Sequence, residues 1–442
     1  MNGPVLLLIV VAMIALLIVL VSKVRLHAFL ALLLTAVLTG LATRQPPDQI
    51  LEAVTGGFGS LMTHIGIVIV LGVIIGDFLE ATGGAERIAD SVLRMVGKKR
   101  SPLAMGIAGG IVSIPVFCDS GFVILTPIWR ALSRVGKIPA MTLSTALMAG
   151  LLATHVFVPP TPGPIAAAGI LGADLGRLVF LGLVVSVPVI LVSVGWANSR
   201  FLRNRFPRHV ADDPPLPATP GNGRPKPPST AMAYAPIVVP IVLIVTQSFA
   251  GQAMPEESRL RSVLGFIGHP AIALLIGAGL AYLTTPRTKE VLSTWVNRAL
   301  ERCTVIVLVT AAAGSFGRVL ALTGVGDYLG SLIAPWGLPG VVLPFVISAF
   351  IVAAQGSSTV ALLTTASIIA PMRGALGISP EIAVLAIGAG AITVVHANSS
   401  YFWVVAKFSD MDMAEGYWAV TATTLLMGIT GFLCVALLSF FA

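Results

Sequence analysis

Two histidines, His155 and His396, stand 241 residues apart, and each is followed within six residues by helix-breaking or helix-capping residues inside an otherwise apolar stretch. The same offset relates residues 79–89 to 320–330, where Leu79, Thr82 and Gly83 are answered by Leu320, Thr323 and Gly324. The chain therefore reads as two copies of one unit. In a membrane protein, duplicated halves that each carry an interrupted helix point to a secondary transporter whose site lies near the bilayer midplane.

A bilayer is the environment that the composition demands. Hydrophobic residues make up 56% of the chain and charged residues only 10%, at a mean hydropathy of +0.96. Soluble domains carry about 25% charged residues. The net charge of +8 would suggest nucleic acid in a soluble protein, but here the basic residues cluster in short loops, as the positive-inside rule requires. No nucleic-acid partner follows. Cys118, Cys303 and Cys434 lie in apolar segments without metal-ligand spacing, so they read as packed thiols rather than a disulfide or zinc framework. No metal or cofactor is implied. Residues 4–22 lack a basic leader and are followed by a second apolar run, which predicts a retained first span.

Apolar runs near the roughly 20 residues needed for a crossing lie at 4–22, 26–43, 60–78, 178–197, 234–250, 263–283, 303–319 and 417–441. Residues 101–129 differ, because Lys98, Lys99 and Arg100 precede them while Arg130, Arg134 and Lys137 follow. Both ends then sit on one basic side, and a re-entrant hairpin with its tip at Cys118 to Gly121 explains this. Threading the chain with both termini outside puts 21 of the 27 Lys and Arg residues in cytoplasmic loops, as expected for an inner-membrane protein. Each half then holds five crossings, one of them broken, and one hairpin. Five is odd, so the second half must run upside down relative to the first.

The expected fold is an all-α polytopic membrane protein of about 10 full crossings, an inverted-repeat secondary transporter with two re-entrant hairpins and two broken helices. The first half spans 1–197, with its hairpin at 101–129 and its broken helix at 138–176. A cytoplasmic linker rich in Arg and Pro covers 198–231, with too few apolar residues to fold. The second half spans 232–442, with its hairpin at 339–372 and its broken helix at 381–406. Residues 80–97 and 320–336 read as paired interfacial helices ahead of the hairpins.

Four polar breaks fall at similar depth. The hairpins give Asp119, Ser120 and Gly121 in the first half, and Gln355, Gly356, Ser357, Ser358 and Thr359 in the second. The broken helices give His155 with Thr161 and Gly163 between prolines, and His396 with Asn398, Ser399 and Ser400. Ser, Thr, Asp and Asn are favoured N-caps, and Pro is favoured in a first turn. Four half-helix N-termini are therefore expected to face one space, each carrying about half a positive charge and free N–H groups. Such a space suits an anion, and the hydroxyl and amide groups suit a polyhydroxylated one. The same groups also serve as caps bonded to their own backbone, so the pattern alone leaves both roles open.

Asp119 is the acid placed at the midplane. A charge at that depth costs roughly 2.5 to 3.5 kcal/mol on insertion scales, which favours the protonated form and makes Asp119 a candidate proton carrier. His155 and His396 are the next candidates, because histidine titrates nearest neutrality; a helix-to-helix hydrogen bond is their other role. Asp77, Asp174, Glu301, Asp327 and Glu381 sit near span ends, where interface placement explains them.

Together the segments 76–85, 114–123, 155–174, 356–361 and 396–403 resemble the gluconate:proton symporter (gluconate permease) family over most of the chain outside the linker. The resemblance implies proton-coupled import of gluconate or related sugar acids. It also implies membership of the ion transporter superfamily, in which homodimers with a fixed scaffold and a moving transport domain are usual, the elevator form of alternating access. D-serine is a substrate of some members. Thr161 stands where the family commonly has His, and Ser399 where it commonly has Asp, so two ionisable groups are absent and Asp119 is the remaining acid. A sodium-coupled carboxylate symporter is the nearest rival, because hydroxyls and exposed carbonyls at broken helices also suit Na⁺. A channel lacks a ring of selectivity groups, and an enzyme lacks a nucleophile or metal motif.

Overall fold

The computed structural model describes residues 3–97, 100–207, 227–255, 258–285, 289–325, 328, 339–397 and 399–441. Among the described residues the ordered elements are all helices. Helix α1 is Gly3–Ser22, α2 Ala28–Ala42, α3 Pro47–Leu61, α4 Ile67–Thr82 and α5 Gly84–Val96. Next come α6 Ser101–Val112, α7 Cys118–Gly136, α8 Ala140–Phe157, α9 Pro162–Leu171, α10 Leu175–Ala197 and α11 Arg200–Arg205. Then follow α12 Thr230–Ala253, α13 Arg259–Ile267, α14 Pro270–Tyr282, α15 Lys289–Leu322 and α16 Val342–Gln355. The chain closes with α17 Ser358–Ile369, α18 Pro380–Ile392, α19 Ser400–Phe408, α20 Met413–Gly416 and α21 Ala422–Leu438.

By length and composition, seven described helical stretches can cross a membrane, or up to nine if each of two bent pairs counts as one span. The chain is thus a multi-pass membrane protein. One bent pair is α4 and α5, turned by 74° at Gly83, whose φ of +74° is left-handed backbone that glycine adopts without a Cβ clash. Beyond the bend α5 is amphipathic, burying Ala85, Ile88, Ala89 and Val92.

Several boundaries depart from the hydropathy reading. The run at 263–283 is not one straight span: α13 and α14 meet at 59° around Gly268. The helix expected at 60–78 begins with α3 at Pro47, and that expected at 303–319 begins at Lys289. Both extensions carry polar residues that depress a hydropathy window without breaking a helix. The linker opens with α11, capped by Ser199 and burying Leu202, so its first residues do fold; its residues 208–226 lie outside the described residues, as do 329–336 of the second interfacial segment and Asp327.

The interior is built on α8 and α18. Every residue of α8 is buried, and so are residues 381–392 of α18. Small residues bring their neighbours close: a Cβ on Gly150 would fall 2.8 Å from the Gly106 carbonyl carbon, so α8 and α6 cross backbone to backbone. Where hydroxyls enter this apolar core they bond to backbone, as when Thr154 donates to the Gly110 carbonyl at 2.8 Å. In contrast, α10 exposes Phe180, Val184, Val187 and Leu191, an apolar face fit for lipid.

Candidate functional site

The central core helices are interrupted at four points. Between α6 and α7 the helix is lost over 113–117, and it is lost again over 158–161 between α8 and α9. In the second half, Gly356 and Ser357 separate α16 from α17, and 393–399 separate α18 from α19. The first break lies ahead of the tip expected from sequence: Phe117 is the N-cap of α7, and Asp119 lies in its first turn. Proline at 115 together with Ser113, whose hydroxyl donates to the Val116 carbonyl at 3.1 Å, closes the turn before Cys118 is reached.

Three of the breaks border one small cavity of about 90 Å³, below the roughly 300–1,000 Å³ usual for drug-sized ligands. Cys118, Asp119, Leu152 and His155 form one side, and Gly356, Ser357, Ser358, Thr359, Val395, Ser399, Ser400 and Tyr401 form the rest. The first turns of α7, α17 and α19 thus supply its polar surface, and no Lys or Arg is among the lining residues. Their backbone N–H groups give the space a positive potential without a fixed cation.

The polar groups are in different conditions. The Oδ1 of Asp119 and the Nδ1 of His155 are buried and without a hydrogen-bond partner among the described residues. Across the cavity, Ser357 caps α17 by accepting from the Val360 N–H at 3.4 Å, and Ser358 donates to the Ala391 carbonyl at 2.7 Å. Ser399 is the N-cap of α19 but makes no side-chain capping bond, so its hydroxyl is not committed to that turn. Gly356 turns the chain with φ +83°. Val394 also has a left-handed φ, +57°, unusual for a β-branched residue. The next residue, Val395, is held by Thr424, which accepts its N–H at 3.0 Å, and by Thr421, which donates to its carbonyl at 2.8 Å.

The remaining residues singled out from sequence lie off the cavity wall. Ser120 is half-buried on α7, and Gly121 faces Leu151, whose Cδ2 would lie 2.6 Å from an added Cβ. Thr161 donates to the Val158 carbonyl at 2.6 Å, and Gly163 packs against Leu362. The fourth helix N-terminus is therefore not part of the lining. His396 Nε2 lies 2.9 Å from the Ala353 carbonyl, which ties the break to α16. Asn398 lies outside the described residues. Cys118, Leu152, Val395 and Tyr401 were not proposed as site residues, although Cys118 and Tyr401 directly flank residues that were. Tyr401 is buried, and its hydroxyl donates to the Met148 carbonyl at 3.3 Å.

Other acids have partners. Asp77 and Glu80 both pair with Arg302, at 2.6 and 2.9 Å. Asp174 accepts from Ser248 at 2.6 Å, and Glu381 accepts the Asp174 N–H at 2.8 Å.

Membrane-length helices packed around an internal polar cavity bordered by helix N-termini define a multi-pass membrane protein. Residues 5–441 match the family model described as GntP family permease, and the chain belongs to that family. Its function class is transport, not catalysis. A gluconate permease of Pseudomonas aeruginosa is 31% identical, the alignment covering 96% of this chain and 95% of that protein. The inner membrane permease YgbN of Escherichia coli is 34% identical, over 98% of each. Among solved structures, the YdaH transporter of Alcanivorax borkumensis superposes with a TM-score of 0.64 at 16% identity over 88% of each chain, a likeness of fold.

Proposed function

We propose that this permease is a proton-coupled symporter that imports a small hydroxylated carboxylate, a gluconate-like sugar acid or short hydroxy acid, across the inner membrane by elevator-type alternating access. The observation that carries this reading is the cavity itself, where Asp119, whose buried Oδ1 has no partner among the described residues, faces the N-termini of α17 and α19 and a row of hydroxyls. The substrate carboxylate is drawn to the N–H groups of α17 and α19, and its hydroxyls to Ser357, Ser358, Thr359, Ser399 and Ser400. An ionised Asp119 repels that carboxylate and a protonated one does not, so proton and substrate bind together. A site without a fixed cation holds the anion weakly enough to release it. The gluconate permeases among the relatives support the substrate class.

The same reading takes 1–197 and 232–442 as inverted repeats joined by the cytoplasmic linker 198–231, with hairpins at 101–129 and 339–372 that enter and return, about ten crossings, both termini outside, and a lipid-embedded homodimer as the working unit. Element order supports the repeat. The succession α6, α7, α8, α9 and α10 is echoed by α16, α17, α18, α19 and α21. The close crossing of Gly150 on Gly106 is also echoed, by Gly390 against the backbone of Ala349, where an added Cβ would lie 2.9 Å from the amide nitrogen.

The test is uptake into proteoliposomes of labelled sugar acids, short hydroxy acids and D-serine, with an imposed pH gradient and no sodium. Uphill uptake of a hydroxylated carboxylate is the expected result. Uptake that requires sodium would assign the coupling to the serine-rich breaks instead, and accumulation of D-serine alone would reject the sugar-acid reading.

A further inference from the structure

Each of the two helices that follow a broken-helix break ends in the same backbone motif, and each end is gripped by an arginine from the other half of the chain. Helix α9 ends at Leu171; Gly172 takes φ +72°, and the Ala173 N–H bonds back to the Ala168 carbonyl at 2.9 Å. Helix α19 ends at Phe408; Asp410 takes φ +52°, and the Met411 N–H bonds back to the Ala406 carbonyl, also at 2.9 Å. Both are Schellman-type ends that leave the last carbonyls in search of donors. Arg373, in the 3₁₀ turn Ala370–Leu376 just after α17, donates through Nη1 to the Leu171 carbonyl at 2.6 Å. Arg130, near the end of α7, donates through Nη2 to the Phe408 carbonyl at 2.9 Å and pairs with Asp410 at 2.6 Å.

The correspondence extends to the left-handed position. At Gly172 an added Cβ would lie 3.1 Å from Arg373 Nη1, so the guanidinium occupies the space of a side chain. Asp410 has a side chain at the matching place, and its carboxylate is itself the partner of Arg130. A cation on a helix C-terminus is favourable in both cases, and the Arg130 side chain is only 10% exposed, which limits screening by water.

We infer that Arg130 and Arg373 are positioning residues that form two crossed latches, each fixing the far end of a helix whose first turn lies at a break. One latch ties α7 to α19, whose first turns present Asp119 and Ser399 to the cavity. The other ties α17 to α9, whose first turns hold Thr359 and Thr161. From Asp119 to Arg130 is eleven residues, a lever of roughly 17 Å at 1.5 Å per residue, so rotation at the latch is felt as displacement at the cavity wall. The latches cross between the halves, and therefore keep the acid of one half in register with the hydroxyls of the other. This inference uses the repeat described under the proposed function, but not the identity of the substrate.

The test reads the two latches separately through thiols on the wall. In a Cys303→Ser/Cys434→Ser background, Cys118 reports the first turn of α7; adding Cys118→Ser and Thr359→Cys moves the reporter thiol to the first turn of α17. Rates of labelling by a small charged maleimide are measured on the purified protein in nanodiscs. Arg130→Ala raises the rate at Cys118 about tenfold and leaves the rate at the α17 reporter unchanged, while Arg373→Ala does the reverse; Lys at either position restores most of the protection. Substrate KM rises with labelling, and kcat changes less. If Arg130→Ala does not yield folded protein, Asp410→Asn, which keeps the Phe408 bond, is expected to give a smaller rise at Cys118 alone. Unchanged rates in these variants, or equal rises at both thiols from either arginine, would overturn the latch. Absence of sugar-acid uptake by the parent protein would overturn the proposed function while leaving the labelling result to stand on its own.

Discussion

The two halves meet at the cavity with opposite equipment. The first half brings Asp119 and His155, each with a buried polar atom that no described group satisfies. The second brings six hydroxyl residues, of which Ser357, Ser358 and Tyr401 are already bonded to backbone, while its histidine lies off the wall, 2.9 Å from the Ala353 carbonyl. His155 and His396 began as equivalents at an offset of 241. On the proposed reading their different surroundings divide labour between the halves: one keeps groups to exchange a proton, and the other keeps groups to hold a polyol. Burying an unsatisfied polar group costs roughly 1–3 kcal/mol, so Asp119 and His155 stand in the cavity wall at the expense of stability.

The sharpest way to break this comparison is Asp119→Asn, which is expected to abolish uphill accumulation under a pH gradient while leaving counterflow of substrate between two loaded sides. Loss of both would make Asp119 a structural residue. His155→Gln follows, with an expected loss of about tenfold in kcat/KM and a flattened pH–uptake profile, whereas His396→Gln costs only about 1 kcal/mol of thermal stability and leaves the pH profile in place. Identical profiles for the two variants would erase the distinction between the halves. Gly356→Ala forces a side chain into a left-handed turn, at a cost of roughly 1–2 kcal/mol; KM should rise with accumulation intact, because only the polyol side is disturbed. The smallest effect is expected at Ser399→Ala, about a three- to tenfold rise in KM with thermal stability unchanged, since this hydroxyl makes no capping bond. A large fall in melting temperature there would show that Ser399 serves the fold.

Much of this arrangement could be read from the residues, because membrane helices advertise their breaks. Polar and Pro-Gly clusters in apolar runs pointed to four interruptions, of which the first lies at 113–117, ahead of the expected tip at Cys118 to Gly121, and three of them border the cavity. What sequence left open was the direction of each side chain. Thr161 and Gly163 carry the same residue types as the lining positions, yet the Thr161 hydroxyl folds back on Val158 and Gly163 faces Leu362. Cys118 was passed over because an apolar-segment thiol reads as packing, and Tyr401 was not considered; their place in a first turn beside Asp119 and Ser400 was the available signal. Element ends were least legible where amphipathic residues extend an apolar helix, as in α3 and the start of α15. The arginine latches were invisible, since Arg130 and Arg373 count only as loop charges until tertiary contact brings them to Phe408 and Leu171.

The most direct test of the division between the halves is proton movement itself. A pH-sensitive dye trapped in proteoliposomes, without sodium or an imposed gradient, would report whether adding gluconate or a short hydroxy acid carries protons inward. The expected result is acidification of the lumen in step with substrate uptake for the wild type and Ser399→Ala, and downhill uptake without acidification for Asp119→Asn. Acidification that persists in Asp119→Asn, or wild-type uptake with no proton movement, would contradict the account.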